Sequence, residues 1–152
     1  MKRLLSTVLV TILFAPLGSC RREADPVRAT LDALAAAASG RDADAAGDLL
    51  ATVYADAEHA DRAAALLTIR RYFAAYERIS TSFSDLQIDR KPDLARATFT
   101  ATFDGAPREI GALEGMLPRS AKVKFEMNFV PEEGQWKVAW AGWTLVSEGM
   151  GP

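Results

Sequence analysis

The chain is poor in the residues on which most catalytic and metal chemistry depends. Its 152 residues include one cysteine, Cys20, and one histidine, His59. A single cysteine excludes an internal disulfide frame. One histidine with no second thiol leaves no Cys/His set for zinc, and the carboxylates are scattered along helical stretches, so neither a metal nor a cofactor is expected. There is no glycine-rich phosphate loop, and no serine lies in a recognisable nucleophile context with a partner histidine. Charge of one sign is also missing. Lys and Arg number 18 against 20 Asp and Glu, a formal net charge of -2. With no basic stripe to neutralise phosphates, nucleic acid is excluded as a partner. No internal repeat is present, and the alanine runs at Ala35–Ala38 and Ala63–Ala65 belong to helices, where alanine has the best propensity.

The one uncharged apolar run, Leu4 to Leu17, is short of the roughly 20 residues a membrane-spanning helix needs and matches the core of a signal peptide. Lys2 and Arg3 precede it. Leu17-Gly18-Ser19-Cys20 closes it and resembles the lipobox of bacterial lipoproteins. The resemblance implies cleavage before Cys20, diacylglycerol on its thiol, acylation of the new amino group, and membrane attachment through that anchor. Arg21 stands where an aspartate would resemble an inner-membrane retention signal, so the implied location is the periplasmic face of the outer membrane. Residues 1–19 are then the signal peptide and 20–24 the lipidated cysteine with a short tether. The folded domain occupies 25–146, followed by a flexible tail at 147–152.

Asp25-Pro26 reads as a helix start, an N-cap oxygen followed by proline at the first helical position. Val27, Leu31, Leu34 and Ala38 share one face of that helix, and Gly40 is placed to end it. Asp42 reads as the next cap, with Ala46, Leu49, Leu50 and Val53 as the apolar side of a second helix. Asp56 is expected to cap a third, from Ala57 to Arg78, whose apolar face is Ala63, Leu66, Ile69, Phe73 and Tyr76.

The period then changes to two. Strands are expected over Ser80–Asp89, Leu94–Asp104, Ala121–Val130 and Gln135–Val146. Leu86 and Ile88 lie on one face of the first. Alternation places Phe99, Ala101, Phe103, Val123, Phe125, Met127, Phe129, Trp136, Val138 and Trp140 inward, with Trp143 and Leu145 opposite Trp140. The fold class is α+β: three N-terminal helices on a four-stranded, mainly antiparallel sheet.

The helix ending Arg71-Tyr72-Phe73-Ala74-Ala75-Tyr76, the run Ile79 to Ile88 and the closing Gly134-Gln135-Trp136-Lys137-Val138 together resemble the nuclear transport factor 2-like (NTF2-like), or SnoaL-like, superfamily. The resemblance spans nearly all of Asp25 to Val146. It implies a curved, cystatin-like sheet forming a cone with a cavity at its open end. Tyr72, Tyr76, Phe99, Phe103, Phe125, Met127, Trp136 and Trp140 are the candidate pocket residues. Ile110, Leu113, Met116 and Leu117, at roughly helical spacing within Asp104–Ser120, are a candidate flap over that pocket.

An isomerase of this kind needs a carboxylate base and polar donors inside the cone. None of the inward strand positions is ionisable. Asp56 reads as a cap, and His59 as a solvated or capping residue. No catalytic residue is therefore assigned. The expected function is a non-enzymatic envelope lipoprotein that binds a protein partner or an apolar small molecule. A SnoaL-like isomerase or hydro-lyase, and a periplasmic carrier of a hydrophobic ligand, are the alternatives.

Overall fold

A computed structural model describes residues 24–108 and 118–146. Cys20, Arg21, Arg22, the flap residues Ile110, Leu113, Met116 and Leu117, and the 147–152 tail lie outside the described residues.

Helix α1, Pro26–Gly40, starts where proline and the Asp25 cap place it. Oδ1 of Asp25 accepts from the backbone N–H groups of Val27 and Arg28 at 2.9 and 3.3 Å. Arg41 rather than Gly40 adopts the left-handed turn that ends it, at φ 54°, and Arg41 also donates from its guanidinium to the Tyr76 carbonyl at 3.1 Å. Helix α2, Ala43–Asp48, is capped by Asp42 as expected but is only six residues long.

Leu50–Asp56 is a strand, β1, and not the continuation of α2. The spacing Ala46, Leu49, Leu50, Val53 suits a helix, but a short apolar run fits either period. The β-branched and aromatic residues Thr52, Val53 and Tyr54 favour the strand. Helix α3, Arg62–Ala75, is shorter than expected at both ends. Its cap is Asp61, whose Oδ1 accepts from Ala64 N–H at 2.9 Å, and not Asp56.

The remaining strands are β2 (Tyr76–Arg90), β3 (Ala95–Pro107), β4 (Ser120–Glu132) and β5 (Gln135–Leu145). The sheet has five strands rather than four, in the order β1-β5-β4-β3-β2. β1 runs parallel to β5, and the other neighbours are antiparallel.

The helices cover one face of this sheet. Val27 and Leu31 of α1 join Phe129, Val138, Ala95, Ala97 and Ala65 in a single buried core. Burying a large apolar side chain of this kind contributes roughly 1.5–3 kcal/mol. Two irregularities set which side chains join that face. Asp85 takes φ 56°, and the β2–β3 register slips there by one residue, so Phe83, Leu86 and Ile88 all turn toward the core despite their mixed parity. On β5, Val138 pairs with Phe129 but Trp140 pairs with Asn128, so Ala139 is an extra residue. This bulge turns Trp140 to the open face, against expectation, and brings Ala141, Trp143 and Leu145 to the helix-covered face.

Candidate functional site

β1 carries an ionisable group to the covered face. Asp56 pairs in register with Ala141 of β5, itself a core residue, and the Asp56 side chain is only 1% exposed. Such a carboxylate needs donors, and four are in place. The Tyr54 hydroxyl donates to Oδ2 at 2.5 Å, and the backbone N–H groups of Glu58 and His59 each donate to Oδ1 at 2.7 Å. The His59 Nδ1 lies 3.0 Å from both carboxylate oxygens. Asp56 N–H donates in turn to the His59 carbonyl at 3.0 Å, closing the loop between β1 and α3.

Burial would raise the Asp56 carboxyl, but the hydrogen bonds from Tyr54, His59 and the two backbone amides outweigh it and hold the group below the usual carboxylate range. The Tyr54 phenol moves upward, first through burial and then through its bond to Asp56 and that residue's charge. Asp56 is therefore an anion and Tyr54 a neutral donor around neutral pH.

Contrary to the sequence reading, His59 is neither solvated nor a helix cap. Its side chain is 14% exposed, and its Nε2 lies 3.0 Å from Thr68 Oγ1 on α3. With Nδ1–H turned to the carboxylate, a neutral ring accepts the Thr68 proton at Nε2. A carboxylate that fixes the tautomer and orientation of an imidazole is an arrangement used in general acid–base chemistry.

Two residues farther along β5, about 7 Å at strand rise, Trp143 begins a run of aromatic rings across the covered face. Trp143 and Phe125 have centroids 6.4 Å apart, Phe125 and Phe99 are stacked at 5.4 Å, and Phe99 meets Phe83 edge-on at 5.1 Å. Phe103 packs edge-on against Phe125 at 6.2 Å. Trp143, 38% exposed, forms the open rim of this wall. Thr81 pairs with Phe103 on the same side, and its Oγ1 is buried with no hydrogen-bond partner among the described residues. A buried hydroxyl without a partner costs free energy unless something supplies one.

The pocket residues expected from sequence separate into groups. Phe99, Phe103 and Phe125 form the wall, and Met127 packs beside the core. Tyr72 stands 59% exposed on α3 and does not enter it. Tyr76 is buried at the start of β2, where its hydroxyl donates to the Pro118 carbonyl at 3.0 Å, a bond that ties the strand end. Trp136 packs at the α1 end of the core, and its carbonyl accepts from Thr30 Oγ1 at 2.6 Å. Trp140 lies on the other face. The sequence reading missed Phe83, Thr81 and Trp143, since a strict alternation carries no sign of the bulges that turn Phe83 and Trp143. Among the described residues, no group of three His, Cys, Asp or Glu side chains is placed to hold a metal, and no helix is long and apolar enough to cross a membrane.

No known family profile matches the chain, and no curated protein matches it by sequence. Similarity lies in the fold. The chain is similar to an NTF2-like superfamily protein of Salmonella enterica serovar Typhimurium, with 9% identity and a TM-score of 0.65 over 82% of this chain and 92% of that one. It is similar to a protein of Novosphingobium aromaticivorans named as a scytalone dehydratase candidate, with 12% identity and a TM-score of 0.70 over 80% and 82% of the two chains. It is also similar to Bd1075 of Bdellovibrio bacteriovorus, with 8% identity and a TM-score of 0.65 over 79% of this chain, which spans 40% of the length of Bd1075. The described domain has an NTF2-like α+β fold.

Proposed function

We propose that the aromatic wall holds a small, flat, largely apolar molecule, with one polar group of that molecule answering Thr81 Oγ1. The supporting observation is the run of rings from Phe83 to Trp143 ending beside a buried hydroxyl that lacks a partner. Apolar walls with few polar groups are the usual make-up of small-ligand sites.

Asp56 favours the isomerase or hydro-lyase alternative over a passive interaction domain. A buried carboxylate with an imidazole bound to it is costly for mere packing. It is in register with Ala141, two residues along β5 from Trp143 at the rim of the wall. His59 is the proposed acid–base group, with Asp56 as its positioning residue, and its Nε2 must exchange Thr68 Oγ1 for the substrate to act. The name of the Novosphingobium protein points toward the same reaction class. The lipobox reading places this activity on the envelope, with Cys20 as the anchor. Cys20→Ala should release the protein from membranes.

2-Tetralone tests the reading, being flat and apolar, with a carbonyl group and acidic α-protons. It should shift the indole N–H signal of Trp143, and its α-proton exchange into deuterated water should run above the buffer rate. His59→Ala should abolish the acceleration and leave binding. Binding without acceleration in the wild type would support the carrier reading, and no binding at the wall would overturn the proposal.

A further inference from the structure

The open face of the sheet is not a plain solvated surface. It holds a groove of about 660 Å³ across β2 to β5, within the range of small-ligand sites. Its floor is organised by Trp140. A Cβ built on Gly142 would lie 2.4 Å from Cη2 of the Trp140 indole, with the neighbouring Cζ2 and Cζ3 farther off at 3.0 and 3.2 Å. The Cη2 edge of the six-membered ring therefore occupies the place where a side chain at 142 would begin. The indole lines the groove beside Gly142. Any other residue at 142 would lift it away.

Around Trp140 the groove is bordered by Phe99, Phe125 and Trp143 and by hydroxyl, amide and charged side chains. Thr98 stands in register with Gln87 on one side and Glu126 on the other, and Glu126 is in register with Gly142. Thr100 stands in the next row. Beside them Arg96 and Glu126 form an exposed ion pair at 2.7 Å. That pair offers a donor fork and an acceptor side by side, which matches vicinal hydroxyl groups, since each hydroxyl both donates and accepts. Lys124 and Asp85 at the margins are of opposite sign, so the groove does not select a strongly charged ligand.

An indole among mixed donors and acceptors suits a molecule with one C–H-rich face and a rim of hydroxyls. We infer that this groove is a binding site for a neutral oligosaccharide, a pyranose ring stacking on Trp140 while its hydroxyls reach Thr98, Gln87 and the Arg96–Glu126 pair. The groove opens on the face opposite the rings of the aromatic wall, and Phe99, Phe125 and Trp143 border both. It would let the domain hold a glycan while the covered face stays free.

Tetra-N-acetylchitotetraose titrated into the purified full chain tests this by amide and indole NMR. The expected result is saturable shifts at Trp140, Thr98 and Thr100 with the Phe99 and Phe125 rings unmoved. Trp140→Ala should weaken binding at least about tenfold, or about 1.4 kcal/mol. Thr98→Val, which suits a strand and leaves the ring in place, should weaken it about fivefold with unchanged melting. Three outcomes would overturn the proposal. The tetrasaccharide could leave the open face unmoved, it could shift only the covered face, or sedimentation could show a dimer of this chain, broken by Lys124→Glu, that already occupies the groove.

Discussion

The Tyr54 hydroxyl donates to Asp56 at 2.5 Å from two residues earlier on the same strand, so one edge strand supplies both the buried anion and one of its donors. The Asp56 carboxyl is depressed in the folded state, against 3.8 for an unperturbed one. The stability it contributes is therefore complete above the unfolded value and is lost as pH falls through it toward the lower folded value. Asp56→Asn removes the anion while keeping the shape. It should cost about 2–3 kcal/mol at pH 7, the scale of buried hydrogen bonds to a charged group. Urea melts should show the gap between wild type and variant narrowing as pH falls below about 4. A gap independent of pH would mean that the carboxylate charge is not what the network stabilises.

Asp61, and not Asp56, accepts from the first turn of α3. Asp61→Ala should cost about 1 kcal/mol in thermal melts, the usual loss for a helix cap, and should leave the His59 ring signals in place. If those signals move as they do in Asp56→Asn, the cap and the polar cluster are one unit and the separation drawn between them is wrong.

Gly105 is fixed by its neighbour. A Cβ there would lie 2.7 and 2.8 Å from Cδ1 and Cε1 of Tyr76. That ring is held at its far end by the bond to the Pro118 carbonyl. It cannot swing away without losing that bond, so Gly105→Ala should destabilise by about 1–3 kcal/mol. Tyr76→Ala combined with Gly105→Ala should cost less than the sum of the single changes, because the clash is then absent. Additive losses would show that the ring yields freely.

The strands with unbroken alternation were legible. Ala95, Ala97, Phe99 and Ala101, and Val123 and Phe129, are buried as a period of two requires. The caps Asp25 and Asp42 were legible from side-chain chemistry alone. What escaped has a common physical cause. A single inserted residue reverses parity, and neither Ala139 nor Asp85 carries a composition signal for a bulge. Trp140 was thus assigned to the wrong face, and Trp143 and Phe83 were left out of the site. β1 escaped because its apolar residues also fit a helical face, and Asp56 escaped with it. The conclusion that no inward position is ionisable failed on that one strand.

The placement of β1 rests on a carboxylate as much as on the ladder. Its pairing with β5 is irregular between Leu50 and Ala55, the stretch that contains Thr52. Both Thr52 donors turn instead to Glu132, the backbone N–H to Oε2 and the hydroxyl to Oε1, each at 2.9 Å. Those two bonds, with a further contribution from Lys137, hold the Glu132 carboxyl below its ordinary range despite the opposing effect of desolvation. The Lys137 ammonium lies between Glu133 at 2.7 Å and Glu132 at 3.4 Å, and is pushed upward by Glu133 first. Tyr54 and Asp56 lie two and four residues beyond Thr52 on the same strand, so Glu132 anchors the strand that carries them. Glu132→Ala should therefore raise the hydrogen-exchange rate of the Thr52 amide by more than about tenfold. Glu132→Gln, which keeps one acceptor oxygen, should raise it less. Amides in the β3–β4 ladder should not change. The acceleration should also appear in the wild type as pH falls below the depressed Glu132 value, once exchange is corrected for its intrinsic pH dependence. Equal acceleration across β3 and β4 would mean global destabilisation, and would leave the β1–β5 ladder alone as the device that positions Asp56.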